Sequence, residues 1–565
     1  MSEQSRSARD LVIRNGIVVD GTGADPFPAD VAIRDGRIVE VGAVSVDGTP
    51  VIEAEGCWVT PGFIDPHTHL DAQLCWDPTA SPTNLHGVTS VAIGLCGFGV
   101  APCPPGGDEY LLRSLEVVEE IPYESTHRGV PFEWQTFSEY RAYLGKQPLG
   151  VNVSGFVPHS ALRYFVMGER ARGEVATAAE REAMVAELEN ALAAGALGLA
   201  TSRGPNHVDS YGDPVPSRFA DHEELRALVA ACAGRLWQIN VETKFSRDAA
   251  ALIDELEPYI AWSRESGVRL TWSPLHAEPG DGVWPQILAH NTERNAGGVV
   301  VAPQVAPLPI TLLLRFDEPT LVFAAMGWHA ALPRFFEGDA AGRLSRLREP
   351  SSQKSLREAK THMPYAPVYD EWIFIDAPSR PELGGATLAD AAAESGRHPI
   401  DFLCDQVVAD DLGTLVEIAI ANRSLEGAVR FIEDPNTLIA LGDSGAHVMS
   451  VTNYRYPSYM LAELVNKRGL LDVSLVVNRI TQQPARLLGL ADRGEIREGA
   501  IADLCVIDPE TVGIDRARVR NDLPGGSPRL FQRGYGYRAV IVNGTVSIRD
   551  DEPTGNVAGQ LLSPA

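Results

Sequence analysis

Residues Pro61–Asp71 read PGFIDPHTHLD and place two histidines, His67 and His69, one residue apart after an apolar run. In a β-strand, residues i and i+2 point to the same side, so both imidazoles face one way. Histidine is the commonest metal ligand in proteins, and such a pair offers two nitrogens to one ion. The stretch therefore favours a metal site at a strand end. A pair of ordinary core or surface histidines is the alternative interpretation.

Strand-like and helix-like segments alternate from about residue 61 to residue 490. The eight strand candidates are WVTPGFID, HGVTSVAIGLCG, LGVNVSGFV, ALGLATS, LWQINVET, VRLTWSPL, GGVVVAPQV and TLIALGDSG. Helical segments lie between them, such as TAAEREAMVAELENALAAGA, which opens with a Thr-x-x-Glu capping box. Eight such units predict an α/β fold with a (β/α)8 TIM-type barrel. In that fold the chemistry lies at the carboxyl ends of the strands.

Both ends of the chain are rich in short strands separated by turns. Asn15-Gly16, Asp35-Gly36 and Asn543-Gly544 are hairpin signals between β-rich runs. We therefore expect a small β-sandwich domain built from both termini, residues 1–60 and 491–565, around a metal-dependent barrel of residues 61–490. Residues 320–397 do not follow the alternation, and we expect them to form an insertion that caps the barrel mouth.

The composition limits the classes of partner and compartment. The 565 residues include 48 basic and 75 acidic side chains, a net charge of −27, which repels nucleic acid and anionic membranes. We expect neither as a partner. Seven scattered cysteines without a CxxC pair favour a reducing cytoplasm over a disulfide framework. The N-terminal MSEQSRSARDLVIRNG lacks the apolar core of a signal peptide, and no run of about 18 apolar residues predicts a membrane span.

Further candidate ligands follow other strands of the expected barrel. Cys96 ends strand two in GLCG. A thiolate is a good zinc ligand, and a small buried thiol is the alternative. Asp443 ends strand eight in LGDSG, where it either faces the barrel mouth or caps a helix. Packing alone does not explain why three strands aim two histidines, a cysteine and an aspartate at one face.

Two residues after strands three and four are candidates to line the same mouth. His159 in VPHSALR is a candidate to polarise the substrate carbonyl, with a hydrogen-bonded core histidine as the alternative. Arg203 in TSRGPNH is a candidate substrate-binding residue. His447, four residues past Asp443, is a candidate hydrogen-bond partner for a metal ligand. His207 and His222 receive no assignment.

The chain resembles the metal-dependent amidohydrolase superfamily over nearly its whole length, through PGFIDPHTHLD and the closing TQQPARLLGLADRGEIREGAIADLCVID. Within it, GLCGFGVAP and VPHSALR are most similar to the N-acyl-D-amino-acid deacylase (D-aminoacylase) family. The resemblance implies a cysteine ligand on strand two, matching Cys96, and a general acid/base aspartate on strand eight, matching Asp443. It also implies an arginine that holds the substrate carboxylate, matching Arg455 in NYRYPSYML.

The sequence departs from that family at two strand ends. The family expects a histidine at the ends of strands five and six, where this chain has Asn240 and Pro274. Glu242 is a candidate replacement ligand, and His276 becomes one if the alignment is shifted by two residues. Carboxylation of Lys244 is a further alternative, although a lysine after a strand is usually solvated.

These residues predict a site for one or two zinc-like divalent ions. The candidate ligands are His67, His69, Cys96, Asp443 and Glu242, and one ion held by the first four or some of them is the simpler arrangement. We predict a metal-dependent hydrolase that cleaves the amide bond of an N-acyl (D-)amino acid or a related small acyl amide. A cyclic amide, lactone, carbamate or deamination substrate is one alternative, and a non-catalytic small-molecule-binding relative is another. The aromatic insertion makes a homodimer a candidate assembly.

Overall fold

The structure is a computed structural model that describes residues 10–46, 48–244, 246–361 and 366–565. Residues 1–9, at which the sequence indicates no signal peptide, lie outside this range, as do residues 362–365 of the expected insertion. Among the helices that the structure describes, none is both long and apolar enough to cross a bilayer.

Eight parallel strands form a closed barrel. Their bounds are Phe63–Asp65, Val88–Ile93, Asn152–Gly155 with its continuation Val157–Pro158, Gly198–Ser202, Leu236–Asn240, Arg269–Ser273, Val301–Val305 and Leu438–Ile439. The last and first strands are joined just beyond their ends. Asp443 N–H donates to the carbonyl of His67 at 3.2 Å, and His69 N–H donates to that of Ser444 at 2.7 Å. The predicted (β/α)8 barrel is confirmed.

Helices connect the strands and cover the barrel. They are Asp108–Val118, Tyr123–Gly129 and Phe137–Leu144 after strand two, His159–Met167 and Ala178–Ala193 after strand three, His222–Ala231 after strand four, Ala249–Ser266 after strand five, Val283–Ala296 after strand six, and Tyr456–Tyr459, Met460–Lys467, Val473–Ile480 and Gln482–Leu488 after strand eight. The predicted capping box is present, since Thr177 and Glu180 cap the helix Ala178–Ala193 reciprocally.

Strands from both ends of the chain form one nine-stranded sheet. They are Leu11–Val18, Phe27–Arg34, Arg37–Gly42, Val51–Glu53, Trp58–Pro61, Leu504–Ile507, Tyr537–Val542, Thr545–Arg549 and Glu552–Pro553. The N- and C-terminal parts meet where Trp58–Pro61 pairs antiparallel with Leu504–Ile507. Two ribbons, Gly513–Ile514 with Gly534–Tyr535 and Arg518–Arg520 with Arg529–Phe531, complete this part. The expected combination of a barrel with a β-domain from both termini is confirmed.

The expected first strand divides between the two sheets. Trp58–Pro61 belongs to the terminal sheet, and the barrel strand begins only at Phe63. The change occurs at Gly62, where any side chain would overlap that of Thr89 on strand two. The short apolar run is therefore two strands rather than one, because the chain passes from one sheet to the other within it.

Two of the three hairpin signals are correct. Asp35-Gly36 and Asn543-Gly544 each join two antiparallel strands and have positive φ at both residues. Asn15-Gly16 instead lies inside the strand Leu11–Val18, where the pairing register shifts. The hairpin prediction at this position is wrong, because a side chain at Gly16 would overlap Val59 and the glycine serves a close strand approach at a bulge.

The segment between strands seven and eight has a sheet and an apolar core of its own. The sheet consists of Ile310–Leu314, Trp372–Asp376 and, between them, Leu415–Ala421. The helices are Leu321–Ala325, Trp328–Ala331, Ala340–Arg348, Pro350–Arg357, Leu388–Ser395, Pro399–Ala409 and Leu425–Glu433. These elements extend beyond residues 320–397 on both sides.

Candidate active site

His67, His69 and Cys96 bring their ligand atoms together beyond the carboxyl ends of strands one and two. These atoms lie within 4.8 Å of one another, and all three residues are buried. Nε2 of His67 is 3.4 Å from Sγ of Cys96. In a tetrahedral zinc site, with Zn–N about 2.0–2.1 Å and Zn–S about 2.3 Å, nitrogen and sulfur lie about 3.6 Å apart. The spacing of the two atoms fits such an ion.

The backbone around Cys96 is shaped to present the thiol. Cys96 has φ 53°, a left-handed conformation that non-glycine residues adopt rarely and mostly at functional positions. Its neighbours Gly94 and Gly97 also have positive φ. A side chain at Gly94 would overlap the carbonyl oxygen of Phe156, so glycine lets this loop lie directly on strand three.

Asp443 joins the cluster from the loop after strand eight. Its Oδ1 lies 3.5 Å from Nε2 of His67, and its side chain is 21% exposed, so it lies at the solvent edge. The alternative role as a helix N-cap is not observed, since the next helical turn begins only at Asn453. Leu441, Asp443 and His447 all have positive φ, so three non-glycine residues of this loop are strained.

The protonation chemistry of the cluster suits a cation. Burial lowers the pKa of His67 and of His69, which leaves both imidazoles neutral, the form that binds metals. Burial and the nearby Glu119 and Asp443 carboxylates raise the pKa of the Cys96 thiol. Buried anionic donors at this spacing need a positive charge among them to ionise together. The residues present therefore fit a divalent metal ion.

Each of the two histidines has a partner at Nδ1. His67 Nδ1 is hydrogen-bonded to Oε1 of Gln304 on strand seven. His69 Nδ1 faces Oε1 of Glu119, which follows the helix Asp108–Val118, at 3.4 Å. Sequence reasoning missed both partners. A ligand histidine usually has such an acceptor, but no local pattern shows which distant residue supplies it.

Strands five and six contribute no histidine at their ends. Asn240 ends strand five, with Nδ2 3.8 Å from Sγ of Cys96 and its buried Oδ1 without a hydrogen-bond partner among the described residues. Strand six ends at Ser273, just before Pro274. His276 does not join the ligand cluster that the described residues form, and burial lowers its pKa to about 4. Its proposed reach into the cluster is therefore not observed.

Glu242 and Arg203 pair with each other rather than with the cluster. The Glu242 side chain is 57% exposed, and its Oε2 lies 3.7 Å from Nη2 of Arg203. The guanidinium of Arg203 also donates to the carbonyl of Ala220 at 2.9 Å. The exposed Glu242 does not belong to the ligand cluster that the described residues form, so the structure does not support its role as a metal ligand.

Lys244, two residues further on, turns back inwards. Burial lowers the pKa of its ammonium group to about 8, although Cys96, Glu119 and Asp443 all oppose this shift. A β-carbon added at Gly204 would lie 3.0 Å from Nζ of Lys244. Lys244 is partly buried rather than fully solvated, and the absence of a side chain at Gly204 leaves room for the ammonium beside the anionic cluster.

His159 begins the helix after strand three and is fully buried. Its Nε2 is 2.8 Å from Oε1 of Glu224, and its Nδ1 is 3.4 Å from Oγ1 of Thr201. Arg163 donates to the second oxygen of Glu224. Both ring nitrogens have hydrogen-bond partners within the protein, so the structure favours the hydrogen-bonded core histidine over the role of carbonyl polariser.

Arg455 already has a carboxylate partner. Its Nη1 lies 3.1 Å from Oε1 of Glu417, a residue of the insertion strand Leu415–Ala421, and 3.1 Å from Oε1 of Gln532. The Arg455 side chain is 13% exposed. A substrate carboxylate that binds this guanidinium must therefore compete with Glu417.

His207 is a site neighbour that the sequence did not indicate. It is buried, with Nδ1 2.6 Å from Oγ of Ser202 and its ring edge-on to Phe98 at 5.3 Å. Burial lowers its pKa, and the nearby Lys244 ammonium lowers it further. The loop after strand four thus carries an imidazole to the margin of the cluster.

Comparison with known proteins identifies the family of this chain. A sequence profile of the amidohydrolase family matches residues 50–308 and 429–548, more than half of the chain. The chain belongs to the amidohydrolase family. The unmatched residues between the two segments contain the three-stranded sheet of the insertion.

Similar amidohydrolases include several deacylases. The N-acyl-D-aspartate deacylase of Alcaligenes xylosoxydans xylosoxydans is 28% identical over 98% of this chain and 95% of its own. The N-acyl-D-glutamate deacylase of Bordetella bronchiseptica, solved with zinc and a phosphonate mimic of the tetrahedral intermediate, matches with a TM-score of 0.65 and 25% identity over 98% of this chain and 100% of its own. A D-aminoacylase whose structure was solved to study its binuclear metal center matches with a TM-score of 0.65 and 26% identity. The match covers 98% of this chain and 100% of its own. The resemblance to the D-aminoacylase family is confirmed.

Proposed function

We propose that this amidohydrolase cleaves the amide bond of an N-acyl amino acid, with a preference for the D-configuration, by a metal-activated water. The observation that carries the proposal is the buried cluster of His67, His69 and Cys96 with Asp443 at its solvent edge. Deacylases of N-acyl-D-aspartate and N-acyl-D-glutamate are similar over nearly the whole chain, which supports the choice of substrate.

The residues of the cluster have two separate roles, which are to bind a metal ion and to transfer a proton. His67, His69 and Cys96 would hold the ion, and Asp443 would lie at its open side. When bound, a zinc-like ion polarises a carbonyl and makes water acidic enough to react near neutral pH. Asp443 accepts the proton of the attacking water and returns it to the leaving amine. Its partial exposure lets it reach both the water and the substrate.

Recognition of the substrate carboxylate is assigned to Arg455, with Arg203 as a second contact. A guanidinium binds a carboxylate through two parallel hydrogen bonds, which an ammonium does not. Each arginine now lies beside a carboxylate of this chain, Glu417 and Glu242 respectively. Binding of the substrate therefore involves an exchange of one carboxylate for another.

A cyclic amide, lactone or carbamate is the second candidate substrate. The observation that favours it is the altered strand ends, where Asn240 and Pro274 replace the expected histidines. An amide side chain beside Cys96 offers a different set of hydrogen bonds to the substrate than an imidazole does.

The deciding experiment combines metal content with product analysis. Elemental mass spectrometry on the wild type and on His67→Ala/His69→Ala should find about one or two zinc-like ions per chain, lost in the variant. The matched control is His127→Ala/His222→Ala, which removes two exposed histidines. Free amino acid should appear from N-acyl-D-amino acids faster than from the L-forms. A wild type that holds no metal after growth with zinc overturns the proposal.

We also propose an assembly, a cellular compartment and domain limits for this protein. We propose a homodimer, to be measured by light scattering, and a cytoplasmic location, which the seven free cysteines support. We also propose a β-domain of residues 1–60 and 491–565 around a barrel of residues 61–490, with an insertion at about residues 320–397.

A further inference from the structure

We propose that Glu119 is a positioning residue of the metal site. Its carboxylate faces Nδ1 of His69 at 3.4 Å, where it favours the tautomer that carries the proton on Nδ1 and so leaves Nε2 as the nitrogen that is available to the ion. The inference rests on the proposed function, because it requires the cluster of His67, His69 and Cys96 to bind a metal.

The position of Glu119 is held from several sides. Its side chain is only 4% exposed, and Oε1 lies 3.4 Å from Nδ1 of His69. Glu119 ends the helix Asp108–Val118, and its carbonyl accepts the backbone N–H of His447. Its second oxygen, Oε2, lies 3.8 Å from Nε2 of His447. The carboxylate is therefore fixed between strand one and the loop after strand eight.

The same arrangement occurs at the other histidine. Nδ1 of His67 is hydrogen-bonded to Oε1 of Gln304, and Nε2 of His67 faces Cys96 and Asp443. An acceptor at Nδ1 selects the tautomer that carries its proton there and frees Nε2 for a ligand. Two co-facing histidines with an acceptor at the same ring atom point to the same mode of binding.

The two acceptors differ in charge, and this difference gives Glu119 its particular role. Gln304 is neutral, whereas a carboxylate raises the basicity of the imidazole that it binds and adds negative charge near the ion. A buried carboxylate is costly to keep unless a positive charge lies near it. Glutamine would fill nearly the same space without that cost, so the charge itself is the property to test.

The test compares metal affinity in Glu119→Gln and in Glu120→Gln. Glu120 is the matched control, because it is adjacent, is also a glutamate and contacts His447 rather than a candidate ligand. Chelator competition with Zn²⁺ should show about 10- to 100-fold weaker binding in Glu119→Gln, and a change of less than about 3-fold in Glu120→Gln. Thermal unfolding of the metal-free proteins checks the fold, and metal-free Glu119→Gln should be at least as stable as the wild type.

A second measurement separates positioning from direct ligation. With Co²⁺ at saturation, the visible spectrum of Glu119→Gln should match the wild type, because the ligands themselves are unchanged. A changed coordination spectrum would make Glu119 a ligand and overturn the positioning role. Wild-type affinity in Glu119→Gln overturns this inference alone, whereas a wild type that binds no metal overturns the proposed function with it.

Discussion

His67, just after strand one, and Asp443, after strand eight, lie at the seam of the barrel, with Nε2 and Oδ1 3.5 Å apart. Because Asp443 is at the solvent edge of the cluster, asparagine preserves its shape but accepts no proton. We expect Asp443→Asn to lower kcat by about 10²- to 10⁴-fold and to retain bound metal. Metal analysis and hydrolysis are measured on the same sample. Loss of the metal together with the activity would instead identify Asp443 as an essential ligand.

The pair of Arg455 and Glu417 predicts opposite effects of two substitutions. Arg455→Lys removes the planar two-pronged donor and should raise KM about 10-fold with little change in kcat. Glu417→Gln removes the competing carboxylate, so it should lower KM. Steady-state kinetics on both variants make the comparison. An unchanged KM in Arg455→Lys would mean that the arginine only ties the insertion to the barrel.

The buried group of His159, Arg163 and Glu224 predicts a large loss of stability without a loss of chemistry. Glu224→Gln leaves the Arg163 charge without its partner in a fully buried place, which should cost about 3–5 kcal/mol of unfolding free energy. Glu223→Gln is the control, since that side chain is 76% exposed and should change stability by less than about 0.5 kcal/mol. Urea unfolding gives both values. Equal effects of the two substitutions would contradict the buried ion pair.

The same group predicts how stability depends on pH. Burial lowers the pKa of His159, whereas for Glu224 burial favours the neutral acid but bonds from His159 and Arg163 outweigh it and lower the pKa. A lowered pKa means that the unfolded chain binds protons first, so stability falls as pH falls. For His159 the loss begins below about pH 6.5. We expect the stability difference between wild type and His159→Gln to shrink from pH 8 to pH 5. A stability difference that grows as the pH falls would contradict the lowered pKa of His159.

Gly442 at the barrel seam predicts a steric limit. A side chain at this position would overlap Oδ2 of the fully buried Asp65. Gly442→Ala should therefore destabilise the protein by about 1–3 kcal/mol. Gly282→Ala is the control, because no heavy atom lies within 4 Å of a side chain there. Thermal unfolding compares them, and equal melting temperatures would show that the seam adapts.

Local sequence patterns were sufficient to predict the barrel and the candidate ligands at its mouth. Alternating strands and helices define a (β/α)8 fold. The His-x-His motif directly after the first barrel strand places His67 and His69 at its carboxyl end, although both lie beyond the strand itself. Cys96 and Asp443 follow because residues at the carboxyl ends of parallel strands converge at one end of the barrel. The amidohydrolase resemblance rests on the same short motifs. None of these inferences requires knowledge of a contact between distant loops.

The residues that surround the candidate ligands could be identified only from the folded structure. Glu119 and Gln304 reach the two histidines from helix and strand ends far away in sequence. Lys244 turns inwards because Gly204 makes room, and His159 is enclosed by Glu224. These relationships depend on how side chains from separate elements share a small volume. Residue type and spacing along one strand do not show which side chains from other elements lie nearby, because these contacts form only when the elements pack.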